Sequence, residues 1–237
     1  MEQQMAAVVV DCLKMEKLSD SVYEIMYRLS TQERKEKANR YRKREDAAYC
    51  LAAGLLLQAA LLDTKGVRQP TASYGIHGKP YIEEAESFHY NISHSGDWVV
   101  LAYSDREIGV DVERNYMDEG RKKVAGLSFT EKEQEYVFKT DDNREQAERF
   151  TKLWTIKESY LKYLGTGMTK SMKSFVVDDR FEIVEGTDLE QEIRCNSMFL
   201  DQMHCLSICG KYQGMVINMI TMEELIMKIA EAEERAG

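Results

Sequence analysis

Two similar α+β halves that meet near Ile108 are the architecture this sequence predicts, on three observations. Residues 1–107 read as a strand, a long helix and further strands, and residues 108–237 repeat that order with a strand, two helices and strands. No Pro-rich linker parts the two, since Pro70 and Pro80 are the only prolines in the chain. Finally, 237 residues against about 150 per domain make one large domain or two small ones. A chain of this size buries roughly 70–75% of its unfolded surface.

The first half opens on residues 5–10, MAAVVV, a short apolar run of the kind that forms a buried strand, with a helix expected soon after it. From Ser30 the spacing predicts one long helix: Glu33 stands three residues on, as in a capping box, and the pattern reaches about Leu62 with Gly54 as its only glycine. Seven bases lie between Arg34 and Arg44, whereas the second half is almost wholly Ala and Leu, so one end is solvated and the other is core. Its charge-free run, Ala47 to Leu62, is shorter than the roughly 20 apolar residues that cross a bilayer and contains Gln58, so no membrane partner is expected. Residues 66–78 read as loop with a short strand, and HGKPYI sets a Gly and a Pro around Lys79. FHYNISHSGDWVVLAYS and then REIGVDVERN read as strands.

In the second half Thr130 and Glu133 form a capping box that starts a helix, and another helix runs from about Asn143 to Leu164, stopped by Gly165 and Gly167. SFVVDDRFEIVEG and MHCLSICGKYQGMVINMI read as β-hairpins, and Thr221 with Glu224 caps a final amphipathic helix ending near Glu234.

Composition narrows the function. Thirty-two Lys and Arg against 41 Asp and Glu leave a net charge of −9, which excludes a general nucleic-acid binder held by counterion release. An anionic ligand must then find a local basic patch. The five cysteines, at 12, 50, 195, 205 and 209, are odd in number and contain no CxxC, so reduced buried thiols are expected rather than a disulfide framework or a zinc ribbon. The N-terminal MEQQMAAVVVDC has an acidic start and no small-residue cleavage site, which places the chain in the cytoplasm by expectation.

Four groups of residues carry chemistry. In IGVDVERN the strand period of two sends Asp111 and Glu113 to one face and Ile108, Val110 and Val112 to the other. Two such acids are stable solvated, or around a hard divalent cation. In LWTIKESYLKYLG, Trp154, Glu158 and Lys162 share a helix face, where Glu158 and Lys162 could also simply pair. Ser93, His94 and Ser95 lie at a turn or strand end. No GxSxG elbow accompanies them, and a hydroxyl beside an imidazole suits hydrogen bonds to an anionic oxygen better than a nucleophile and its base. Arg34, Lys37, Arg40 or Tyr41, and Arg44 follow helical spacing near a helix N-terminus that favours phosphate, or form a solvated face.

In their order, SxxERxxKA, REDA, GKP, NISHSGDWVVLA, IGVDVE and FTKLWTIKESYLKYLGTG closely resemble the 4′-phosphopantetheinyl transferases of the surfactin-synthetase-activating (Sfp) type, over Ser30 to Gly167. The combination GxDxE…WxxKExxxK is specific where any one piece of it is not. The resemblance implies a pseudo-dimer of two α+β halves with the active site in the cleft between them, and a Mg²⁺-dependent monomeric enzyme that moves phosphopantetheine from coenzyme A to a serine of an acyl or peptidyl carrier protein. It implies Asp111, Glu113 and Glu158 as Mg²⁺ ligands, with Glu158 doubling as base. It implies Lys162 beside the scissile pyrophosphate, Lys79 and Pro80 bordering the nucleotide, Ser93 and His94 on phosphate, and Arg34 and Lys37 on the 3′-phosphate. Where that family often carries an Arg or a hydroxyl residue after its EDA, this chain has Tyr49 and Cys50. Two rivals remain: a catalytically silent module that binds coenzyme A or carrier, which would not need the three acids and Lys162 intact, and a Ser93–His94 hydrolase, which lacks a recognisable third member. For carrier docking, Arg121, Lys122, Lys123 and Lys132 near Leu127 and Phe129 are the candidates, with Phe129 as core the alternative.

Overall fold

The first sheet forms around β1 (Val8–Lys14) and β5 (Trp98–Ser104), which pair antiparallel, with β4 (His89–Ser95) beyond β5 and β11 (Met215–Ile220) on the far side of β1. This computed structural model describes residues 7–15, 18–186 and 193–235. The run MAAVVV therefore falls partly outside the described residues. Both faces of β1 and β5 are covered, and apart from the buried Asp11 the covered residues are mostly apolar. Leu13, Val99 and Leu101 pack under helix α3 (Arg44–Lys65), whereas Val8, Val10, Cys12, Val100 and Ala102 pack against the second sheet.

The second sheet has the order β6 (Ile108–Arg114), β10 (His204–Gly210), β9 (Arg194–Asp201), all antiparallel. Ile108, Val110, Val112, Leu206 and Ile208 turn to the first sheet. The opposite face carries Gly109, Asp111 and Cys209 and is covered by α6 (Asn143–Leu164). Helix, sheet, sheet and helix thus stack in α+β layers, with the two sheets in the middle.

The remaining elements are α1 (Asp20–Leu29), α2 (Gln32–Ala38), the hairpin β2 (Ala72–Tyr74) and β3 (Pro80–Ile82), α4 (Glu119–Ser128), α5 (Glu131–Phe138), the hairpin β7 (Phe175–Val177) and β8 (Ile183–Gly186), and α7 (Met222–Glu234). Of the expected capping boxes, Thr130 with Glu133 and Thr221 with Glu224 form. Among the described residues α3 is the one helix long and apolar enough to cross a membrane, and most of that stretch is buried under α1, α2, α7 and β5.

The structure corrects the sequence reading at four places. The long helix from Ser30 is two helices. Ser30 instead closes α1 by donating to Met26 O at 2.8 Å, Thr31 caps α2, and Glu33 accepts from Ala72 N at 3.1 Å. Between α2 and α3 the run NRYRK offers nothing to bury and crowds like charges that helical spacing would stack. Secondly, β11 and α7 do not complete the second half: β11 lies parallel to β1 and α7 packs on α1 and α3. β1 is buried on both faces and its free edge needs a ladder, while the segment after it is helical, so a distant strand supplies the partner. Thirdly, Cys195 and Cys209, directly opposite on β9 and β10, form a disulfide, leaving Cys12, Cys50 and Cys205 as free buried thiols. Fourthly, Phe129 is core: it is fully buried with its ring 5.2 Å from that of Phe150, whereas Leu127 is 79% exposed.

Candidate active site

β4 and β6 are adjoining edge strands of the two sheets, and side chains join them in place of a backbone ladder. Asn91 Oδ1 accepts from Val110 N (3.0 Å), Ser93 Oγ from Val112 N (3.3 Å) and Ser95 Oγ from Arg114 N (3.2 Å). The period of two on both strands sets this register, and each bond satisfies an edge amide. The same serines hold the acids. Ser93 Oγ donates to Asp111 Oδ1 at 2.8 Å, and Ser95 Oγ donates to Glu113 Oε2 at 3.1 Å.

Helix α6 lies so close on β6 that a Cβ at Gly109 would collide with the carbonyl of Ser159 and the amide of Tyr163. That approach brings Glu158 and Lys162 over the strand. Lys162 Nζ reaches Asp111 Oδ1 at 2.7 Å, and Ser93 Oγ and Val110 O at 3.1 Å each. Burial first, and then the charge of Asp111, raise the carboxyl pKa of Glu158 against the pull of Lys162. Burial and Asp111 raise that of Glu113 in the same way, against Arg121.

Arg121, expected on the carrier surface, is turned inward instead. It donates to Glu113 at 3.3 Å and Thr151 at 3.0 Å, and its guanidinium covers the ring of Tyr116. Lys157, next to Glu158 in the motif, is fully buried: it pairs with Glu133 at 2.8 Å and donates to Met172 O and Phe175 O, anchoring α6 to its neighbours.

The residues fit a hard divalent cation in donor chemistry. Three carboxylates lie near enough to perturb one another, and Asp111 Oδ2 is buried without a hydrogen-bond partner. Among the described residues no three acids, histidines or thiols already converge on one point. In this arrangement Lys162 and Arg121 supply the compensating charge.

The other predicted residues surround this centre. His94, near the end of β4, keeps one side open to solvent and lays its ring parallel to that of Tyr49 at 5.3 Å; partial desolvation on the covered side, followed by the charge of Lys162, lowers its pKa. Ser93 belongs to Asp111 and Lys162, so the hydrolase pairing with His94 does not form. Lys79 binds Glu107, Ile108 O and Tyr163 O at the far end of β6 and α6. With Pro80, Tyr81, His89 and Tyr90 it lines an open groove of about 740 Å³. Arg34 lies across α3, its Cγ 2.7 Å from where a Cβ on Gly54 would sit, and its charge acts on Tyr41, Tyr74 and Tyr90. Lys37, one turn on, is exposed. Cys50 is buried near Tyr41 and Tyr74, while Tyr49 turns away to the β4–β5 turn. Asn91 escaped the site reading, Ser95 was grouped with Ser93 and His94 but given no link to Glu113, and Arg121 was expected on the docking surface instead. The alternation of polar residues in NISHS was the available signal for the first two.

With this geometry in view, residues 107–212 match the 4′-phosphopantetheinyl transferase superfamily domain, and residues 17–106 match the N-terminal domain of 4′-phosphopantetheinyl transferase. The chain is 32% identical over 202 residues to a 4′-phosphopantetheinyl transferase of Bacillus subtilis, covering 82% of this chain and 88% of that protein. It is 29% identical to the 4′-phosphopantetheinyl transferase Sfp of Bacillus subtilis strain 168, with the same coverage. Similarity extends to an L-aminoadipate-semialdehyde dehydrogenase-phosphopantetheinyl transferase of Xenopus laevis, 26% identical over 71% of this chain and 59% of that one.

Proposed function

Since the chain belongs to the 4′-phosphopantetheinyl transferase superfamily, we propose that the seam between β4, β6 and α6 is where it handles the pyrophosphate of coenzyme A. The enzyme transfers the 4′-phosphopantetheine group of coenzyme A to a serine hydroxyl of a carrier protein, giving holo carrier and 3′,5′-ADP. The observation that carries the site assignment is Lys162 Nζ, 2.7 Å from Asp111, with Glu158 one helical turn before it.

In this reading the work is positioning and charge. Lys162 stabilises the charge that grows on the leaving 3′,5′-ADP. Glu158 accepts the proton of the attacking serine directly or through water. Ser93 and His94 donate to phosphate oxygens, Lys79 and Pro80 border the nucleotide, and Arg34 with Lys37 holds the 3′-phosphate. Asp111, Glu113 and Glu158 hold Mg²⁺, which when bound neutralises and orients the pyrophosphate. A silent binding module would not need that set intact. We place the protein in the cytoplasm as a monomer of two halves, 1–107 and 108–237, with β11 and α7 fastened to the first.

Intact-mass spectrometry of a panel of apo acyl and peptidyl carriers, incubated with the enzyme and coenzyme A, tests this. One phosphopantetheine is gained per carrier in Mg²⁺ and none in excess chelator; transfer undiminished by chelation removes the metal from the reading. Arg34→Ala weakens coenzyme A about tenfold or more and barely touches 3′-dephospho-coenzyme A, because charge-assisted bonds of roughly 1.5–3 kcal/mol serve only the 3′-phosphate. Lys37→Ala, at an exposed position, costs less. Calorimetric titration with both ligands reads this, and equal losses would detach α2 from the nucleotide.

A further inference from the structure

The turn between β4 and β5 is gripped from two sides, and we infer that Tyr49 and the His204–Asp201 pair are positioning residues that hold Ser93 to Ser95 in place for the phosphates of coenzyme A. On one side Tyr49, from α3, donates its hydroxyl to Gly96 O at 2.5 Å and lays its ring parallel to His94. On the other, His204 at the start of β10 is 2% exposed and fills the space under Gly96. A Cβ on Gly96 would lie 3.2 Å from His204 Cδ2 and collide with Nε2. Gly96 has φ +54°, so both the turn and the close approach require glycine.

His204 is itself fixed. Its Nδ1–H donates to the Asp201 carboxylate at 3.0 and 3.1 Å, and Asp201 Oδ2 accepts from Trp98 Nε1 at 2.8 Å, at the first residue of β5. Asp201 Oδ1 also accepts from Met203 N at 2.7 Å. Nε2 of His204 is buried without a hydrogen-bond partner, so the ring acts there by its bulk. Three elements that carry none of Asp111, Glu113 and Glu158, namely α3, β9 and β10, therefore converge on one tight turn. The substitution at Tyr49 gains a meaning of its own: where a phosphate contact could stand, this chain has a residue that clamps the turn beside it. A hydroxyl and an imidazole whose backbone is already held lose less freedom on meeting an anion, which strengthens binding without any new contact.

The inference rests on the reading that Ser93 and His94 meet the coenzyme A phosphates, and the experiment separates the two. Tyr49→Ala, Tyr49→Phe, His204→Asn, His94→Ala and the double variant Tyr49→Ala/His94→Ala are compared by calorimetric titration with coenzyme A, by steady-state kinetics and by thermal melting. Tyr49→Ala raises the Kd and KM for coenzyme A about five- to tenfold, with kcat at saturation within about twofold, the scale of one hydrogen bond and its ordering. Tyr49→Phe, which keeps the ring over His94, recovers part of that loss, and His204→Asn shifts KM in the same direction. In the His94→Ala background the added cost of Tyr49→Ala shrinks, because both act through one turn. If His94→Ala weakens coenzyme A while Tyr49→Ala and His204→Asn do not, the clamp is wrong and the phosphate reading stands. If His94→Ala leaves coenzyme A affinity unchanged, both fall. A KM shift that Tyr49→Phe shows only in proportion to a lowered melting temperature assigns Tyr49 to stability and overturns the inference.

Discussion

Asp111→Asn lowers kcat by about 10²–10³-fold, the scale of removing one preorganised charge from a phosphoryl-transfer site. Asp111 is 4% exposed and accepts from both Ser93 and Lys162, so a neutral amide loses its hold on the lysine as well as its own charge. The same change removes the negative charge that acts most strongly on Glu158, so that carboxyl titrates lower than in the parent, back toward its ordinary value. Kinetics across a Mg²⁺ series, with circular dichroism to check the fold, provides the reading. Near-parental turnover in saturating Mg²⁺ would strip Asp111 of the metal role.

Gly109→Ala damages fold and chemistry together. The atoms its Cβ meets are backbone of α6, Ser159 O and Tyr163 N, with Ser159 C at 3.0 Å, and no side-chain rotation relieves them. The helix must rise off β6, at about 3 kcal/mol or more for overpacking a site that cannot give. For a chain of this size that lowers the melting temperature by roughly 6–12 °C. Because α6 carries Glu158 and Lys162, a displacement of about 1 Å costs on the order of 10² in kcat. Calorimetry and kinetics on one preparation test both. An unchanged melting temperature would mean that strand and helix are not in such contact.

Local chemistry was legible and distant pairing was not. Asn143–Leu164 could be bounded from sequence because Gly165, in the left-handed region, stops it within one turn of the last apolar residue. Capping boxes at Thr130 and Thr221 fixed two further starts for the same reason. Asp111 and Glu113 shared a face by a period that needs no partner strand. By contrast α4 begins at a single Asp118 cap with no apolar period to announce it. The break after Ala38 depends on what α2 and α3 find to pack on. Nothing in the spacing of Cys195 and Cys209 says that their strands lie in register. The part Asn91 and Ser95 play becomes visible only once β4 faces β6, and that of Arg121 only once Glu113 has a position.

The parallel pairing of β1 with β11 sets an order of events during synthesis. Asp11 is bonded to Asn218, 207 positions later, so the first strand made waits for one of the last. Thermodynamically the wait is cheap, since closing a loop costs only about 0.6 kcal/mol more for each doubling of its length. Kinetically it is not, because contacts of such separation form late. β5 can zip onto one side of β1 while the ribosome is still working, but the other edge stays bare until residues 215–220 have emerged. The first half is therefore no autonomous folding unit, although it carries most of the candidate nucleotide contacts. Shortening the chain ahead of Met215 would unravel β1, far away in sequence, before it disturbed β6 and its acids.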